Sequence, residues 1–265
     1  MSRAAPELEV TVDSPGGARA ARDGGADRVE LCSALELGGL TPSAGALGAC
    51  LSEEGALPVH VLVRPRPGGF TYDAEELRTS LRDVEAAVAA GAAGVVVGAL
   101  RARDGALSLD EAFLAEAVQR ARAVRTDVEV VVHRAVDQLA APSRVVAVLA
   151  ELGVDRVLTS GGAPRAVEGI AELTAVAAAG RQSGVEVMAG AGVRPEQVPA
   201  LVEAGVHAVH LSARRPVRAA GPRVAVGPAD DGVHSETDPA LVAAVRAALD
   251  ALPLRDQGRS CSQLP

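Results

Sequence analysis

The chain has 265 residues, 48% of them hydrophobic, a net charge of −8 and only three aromatic residues (one Tyr, two Phe, no Trp), a globular profile without the basic surface or stacking rings that nucleic-acid or anionic-membrane binding needs. All 26 basic residues are arginine, which excludes lysine Schiff-base chemistry, pyridoxal phosphate included, and the lysine-bearing P-loop; no other nucleotide motif is present. Three cysteines, Cys32, Cys50 and Cys261, with no C-x-x-C spacing, fit neither a disulfide framework nor a thiolate zinc site.

Taken along the chain, eight valine-rich runs read as strands, at about 7–13, 27–32, 58–64, 94–98, 128–133, 155–160, 185–189 and 207–212. A helical stretch follows each, at about 15–23, 42–53, 73–90, 108–124, 142–152, 164–182, 194–204 and 238–251. Proline in the first turn (Pro42, Pro142) and the Asp238-Pro239 pair mark helix starts. One phrase recurs: a glycine closes a helix and a strand begins two or three residues later, as in GGADRVELCS (24–33), GAAGVVVGAL (91–100), LGVDRVLTSG (152–161) and AGVHAVHLSA (204–213). This is the αβ connection of a βα-repeat protein, and eight such units predict a single TIM (β/α)8 barrel over residues 1–252. The runner-up, a doubly wound sheet, lacks its glycine fingerprint after the first strand. Residues 214–236 form a long Pro/Gly-rich loop between the eighth strand and the last helix, and residues 253–265 read as a disordered tail. The N-terminus carries no apolar signal core and no stretch reaches spanning length, so the expectation is a cytoplasmic protein with no membrane partner.

Strands buried on both faces are usually continuously apolar. Here the first strand alternates Leu8, Val10 and Val12 with Glu9, Thr11 and Asp13, and the second alternates Val29 and Leu31 with Glu30 and Cys32. Helices cover the apolar face, so the other face points into the barrel. Glu9, Asp13, Glu30, Cys32, His60, Arg64, His133 and His210 are therefore expected inside it or at its carboxyl mouth, where TIM-barrel sites are built. A structural reading stands beside this, with Glu30 salt-bridged to Arg64 and the histidines hydrogen-bonded in place. His60 lies earlier in its strand than the others, as a core histidine would. Arg64 and Arg66, in RPRPGGF (64–70), and the small-residue turn AGAGV (189–193), with Gly190 and Gly192, are candidates for holding an anion. Glu9, Glu30, His133 and His210 are the candidate general acids and bases.

The segments LEVTVDS, GGADRVELCSALELGGLTPS, VRPRPGGF, HRAVD, LGVDRVLTSGG and MAGAGV resemble, in order and spacing, the CutC family over roughly residues 7–213. The resemblance implies a TIM-barrel-like fold, a cytoplasmic location, a homo-oligomer and a role in copper homeostasis. Its candidate Cu(I) ligands are cysteines on the first two strands. The family's E-V-C-V-D-S reads EVTVDS here, so Thr11 replaces the first cysteine and only Cys32 remains, to be helped by His60, His133 or His210. Two functions stay open from sequence: Cu(I) binding, or isomerase- or lyase-type acid–base chemistry on a small anionic metabolite.

Overall fold

The computed structural model describes residues 6–252 except 219, 221–223 and 225–231. The expected tail at 253–265, with Cys261, and the centre of the 214–236 loop lie outside the described residues.

Eight parallel strands close into a barrel: β1 (Glu7–Val12), β2 (Arg28–Leu31), β3 (Val59–Leu62), β4 (Gly94–Val97), β7 (Glu129–Val132), β8 (Arg156–Thr159), β9 (Glu186–Ala189) and β10 (Ala208–Leu211), with β1 and β10 sealing the seam. Each matches an expected strand to within two residues at either end. The helices between them are α1 (Pro15–Asp23), α2 (Ala44–Leu51), α3 (Ala74–Ala89), α4 (Glu111–Val124), α5 (Val146–Glu151), α6 (Ile170–Ser183), α7 (Val198–Glu203) and α8 (Pro239–Asp250). Side chains cap several N-termini. Asp73 accepts from the N–H groups of Glu75 and Glu76 while Glu76 returns a bond to the Asp73 N–H, a complete capping box.

Two departures from expectation have local causes. The helix expected from residue 108 starts only at Glu111, because β5 (Leu100–Arg103) and β6 (Ala106–Leu109) pair as an antiparallel hairpin first. Its turn is Asp104-Gly105, both at positive φ (52° and 80°), the backbone that a two-residue hairpin turn requires. The expected loop at 214–236 likewise begins and ends in a hairpin, β11 (Arg214–Arg218) with β12 (Val233–Thr237). The helices expected from 142, 164 and 194 each open with a 3-10 turn before the α-helix.

The side-chain alternation divides the core in two. The outward face (Leu8, Val10, Val12, Val29, Leu31 and their counterparts) packs under the helices in one large apolar cluster. The inward face carries a smaller apolar cluster, with Cys32, Leu62, Val96, Val131, Leu158, Met188 and Ala208. It also carries most of the buried charge: Glu9, Arg28, Glu30, His60, Arg64, His133 and Arg156.

β4 and the residue that follows it make room for two imidazoles by using glycine. A Cβ on Gly94 would collide with the His60 ring and lie 2.7 Å from the Glu129 carbonyl oxygen, and one on Gly98 would lie 2.6 Å from His133 Nδ1. A backbone carbonyl cannot yield as a side-chain tip can. Gly94→Ala is therefore expected to cost about 1–3 kcal/mol of overpacking, read as a lower urea midpoint at unchanged slope; an unchanged midpoint would refute the steric reading.

Candidate functional site

At the N-terminal end of the barrel the inward side chains form an ionic network. Arg28 Nε donates to Glu9 Oε2 at 2.6 Å and Arg28 Nη1 to Glu129 Oε2 at 2.6 Å. Arg156 Nε donates to Glu129 Oε1 at 2.9 Å, and its Nη2 pairs with Glu7 and Glu186. His60 Nε2 lies 3.1 Å from Glu129 Oε2, so this expected ligand belongs to the bottom layer.

Above that layer, one chain of hydrogen bonds climbs toward the mouth. Glu9 Oε1 meets His210 Nδ1 at 2.7 Å, His210 Nε2 meets Thr11 Oγ1 at 2.7 Å, and Thr11 Oγ1 meets Glu30 Oε2 at 2.9 Å. Strand pairing dictates this convergence, since Glu9 is in register with His210 and Thr11 with Glu30. Burial pushes the Glu9 carboxyl up, but Arg28 and the His210 hydrogen bond outweigh it and hold Glu9 ionised, well below the usual carboxylate range. Burial also pushes Glu30 up, and the nearby Glu9 charge adds to it; His210 and Thr11 offset only part, so Glu30 titrates high. For His210, burial works downward, but the hydrogen bond to Glu9 and the charges of Glu30 and Glu9 raise it above an ordinary histidine.

A hydroxyl both donates and accepts, so Thr11 admits two proton arrangements. In one, imidazolium His210 donates to Glu9 and to Thr11, and Thr11 donates to the Glu30 carboxylate. In the other, protonated Glu30 donates to Thr11, which donates to neutral His210. The two differ by the transfer of one proton between Glu30 and His210.

Thr11, Glu30 and His210 line a cavity of about 750 Å³ at the carboxyl mouth. Its walls include Leu35, Leu62, Phe70, Leu158, Val193 and Leu211, and Arg64, Arg134, Arg194 and Arg214 stand on its wall and rim. His133 lines it too. Burial and the adjacent Arg64 cation push its imidazole down to about 3, so the ring is neutral at neutral pH.

The other expected residues are distributed as follows. Arg64 is on the cavity, but its terminal nitrogens bond the carbonyls of Leu37, Gly38, Gly39 and Gly68, clamping the loops after β2 and β3. It does not pair with Glu30, which bonds Thr11 instead. Arg66 lies outside the cavity, paired with Glu76 and laid over the Tyr72 ring. Gly192 lines the cavity, whereas Gly190 is packed under Leu158 and His210. Asp13, past the end of β1, is exposed.

Sequence reasoning missed Arg28, Glu129 and Arg156. A signal existed: the repeated phrase places arginine in the same slot in GADRVEL and GVDRVLT, and both arginines point inward. Asp137 was noted only within HRAVD; it anchors the loop after β8 through the Thr159 hydroxyl, the Ser160 and Gly162 N–H groups and Arg134.

Cu(I) wants thiolate or thioether donors. Cys32 is fully buried, lines no part of the cavity and packs in the inner apolar cluster. Burial, Glu30 and Asp13 all push its thiol up, so it stays protonated. Met188 lies in the same cluster, but the three histidines are held elsewhere: His60 by Glu129, His210 by Glu9 and Thr11, and His133 Nδ1 by the Ala135 N–H. Among the described residues no group of three His, Cys, Asp or Glu side chains is arranged to hold a metal ion. The described residues do not form a Cu(I) site.

The sequence model of the CutC family matches residues 7–215. A CutC family protein of Caulobacter vibrioides is 44% identical over 222 residues, covering 83% of this chain and 86% of its own. One from Aliivibrio fischeri is 37% identical over 249 residues, covering 91% and 97%. The crystal structure of CutC from Streptococcus agalactiae, whose name assigns it to copper homeostasis, superposes with a TM-score of 0.68 at 26% identity, covering 78% of this chain and 98% of that one.

Proposed function

The chain belongs to the CutC family, and we propose that it is an acid–base enzyme, of isomerase or lyase type, acting on a small anionic metabolite at the carboxyl mouth of its barrel. One observation carries this reading: the buried chain Glu9–His210–Thr11–Glu30 ends on a cavity with arginines around it. A purely structural ion pair has no need to open on such a cavity. Glu9, locked to Arg28, orients His210, and Glu30 is the group placed to exchange a proton with a ligand. Arg194 and Arg214 are the rim cations for the ligand's carboxylate or phosphate. Soluble, cytoplasmic and homo-oligomeric behaviour goes with this reading as an expectation. Among the described residues no helix is long and apolar enough to cross a membrane.

The copper role in the family's naming enters only as the competing outcome. The test is a thermal-shift screen of small carboxylated and phosphorylated compounds, run beside anaerobic Cu(I) competition with a chromogenic chelator. The expected result is stabilisation by one anion class, weakened at least tenfold in affinity by Arg194→Ala combined with Arg214→Ala, with Cu(I) uptake indifferent to Cys32→Ser. Stoichiometric Cu(I) binding that Cys32→Ser abolishes, with no anion bound, would replace this reading with copper handling.

A further inference from the structure

Among the described residues, two buried N–H groups on side chains of the cavity wall have no acceptor. His133 Nδ1 accepts from the Ala135 N–H at 3.2 Å, so the neutral ring carries its proton on Nε2, and that atom is buried without a partner. Arg64 commits its terminal nitrogens to loop carbonyls, and its Nε is likewise buried and unpartnered. Both residues line the cavity, and both are less than a tenth exposed. Phe70 braces the two, its ring centroid 4.9 Å from that of His133 and 5.1 Å from the Arg64 guanidinium carbon. Gly98 gives the His133 ring its seat. A buried donor left without an acceptor is costly. Two of them, on side chains that line the same cavity as the acid–base pair, are donors that a ligand oxygen would complete.

We infer that His133 Nε2 and Arg64 Nε form the subsite for a carbonyl oxygen, so that the substrate class is a small carbonyl compound bearing a carboxylate or phosphate and the reaction begins with its enolisation. The inference rests on the acid–base reading above and specifies it. In the step, the Glu30 carboxylate takes a proton from the carbon next to the carbonyl. The C–H electron pair becomes the new C=C bond, and the carbonyl π pair moves onto oxygen. The resulting enolate oxygen is held by the two N–H groups, neither of which gives up its proton. Glu30 then returns the proton to the carbon it came from or, where that carbon bears a hydroxyl whose proton passes to the enolate oxygen, to the former carbonyl carbon, so atoms and electrons balance without a further reactant. The neutral imidazole donates a hydrogen bond to the enolate oxygen and the Arg64 guanidinium supplies the positive charge that stabilises it.

The test uses the full chain labelled with ¹⁵N-histidine and two probes. Oxalate has adjacent carbonyl-type oxygens in the plane that an enolised 2-oxo acid presents; inorganic phosphate has the charge without them. Oxalate is expected to move the His133 Nε2–H resonance downfield and to bind at least tenfold more weakly to His133→Phe. Phosphate is expected to leave that resonance in place and to bind both proteins alike. Phosphate binding with a His133 resonance that oxalate does not move would overturn the subsite and leave the acid–base reading standing. Failure of both probes, together with an empty anion screen, would overturn both. Should His133→Phe not fold, the wild-type resonance decides alone.

Discussion

Arg28→Met is expected to lower unfolding stability by about 3–5 kcal/mol, although the new side chain is apolar and of similar reach. The reason is what it leaves behind. Glu9 is wholly buried, and Arg28 is its strongest partner at 2.6 Å. Without Arg28, the Glu9 carboxylate sits in the barrel with only the histidines His210 and His60 to favour its charge, and Glu129 keeps Arg156 but loses its second arginine. Breaking a buried pair from one side is far costlier than never having built it. A loss of that size is a third or more of the stability of an ordinary domain. The measurement is the urea midpoint at unchanged slope. The double variant Arg28→Met/Glu9→Gln is expected to recover part of the loss, because the penalty belongs to the stranded charge. A double variant less stable than the single would refute this.

The same network fixes a pH dependence whose sign follows from its carboxylates. Against the pull of burial, the His60 hydrogen bond and the Arg28 and Arg156 charges hold Glu129 down at about 2, and Glu9 also lies well below the usual range. Depressed carboxylates contribute stability above their unfolded value, near 4.3 for glutamate, and lose it as pH falls through the folded one. Wild-type stability is therefore expected to drop from about pH 4 toward pH 2. The gap between wild type and Arg28→Met should narrow over that same window, because a protonated Glu9 no longer needs Arg28. Parallel curves from pH 7 to pH 2 would contradict the assignment.

The fold could be read from the glycine-to-valine phrase because an αβ connection is a local matter of helix termination and strand propensity. The inward face was legible for the same kind of reason: Glu9 alternating with Leu8 and Val10 is a period-two signal. Pairings were not legible. Glu30 with Arg64 is as plausible in sequence as Glu30 with Thr11, and the choice is made by register around a closed barrel, where β1 sits between β2 and β10. Nor does sequence show that Arg64 is consumed by four loop carbonyls, since backbone acceptors leave no residue-specific trace. The hairpin at 100–109 was missed although Asp104-Gly105 announces it, because its two four-residue strands are short against the strong helical pattern that follows.

Thr11→Val is expected to cut proton transfer at the site by about 10²–10⁴-fold, the usual worth of a positioned acid–base group, while a bound anion keeps its affinity to within a few-fold. Valine has the shape of threonine, so the barrel wall is unchanged. What is lost is the single atom that joins Glu30 to His210, whose nearest direct approach is 3.8 Å. With the hydroxyl gone, Glu30 and His210 Nε2 each lose a buried partner, which also costs about 1–3 kcal/mol of stability. Thr11→Ser keeps a hydroxyl that accepts and donates, and is expected to restore most of the rate. Thr11→Cys offers only a weak donor and a weak acceptor, and should fall between the two. That ordering, serine above cysteine above valine, separates a relay from a packing role, which would place valine nearest wild type. The readout that needs no substrate is histidine titration by NMR. His210 is raised in the wild type by Glu9 and Glu30, and in Thr11→Val its Nε2–H resonance should move upfield and exchange faster with solvent, while His133 stays neutral in both proteins. Identical His210 spectra in wild type and Thr11→Val would mean that Thr11 carries no proton between the two groups.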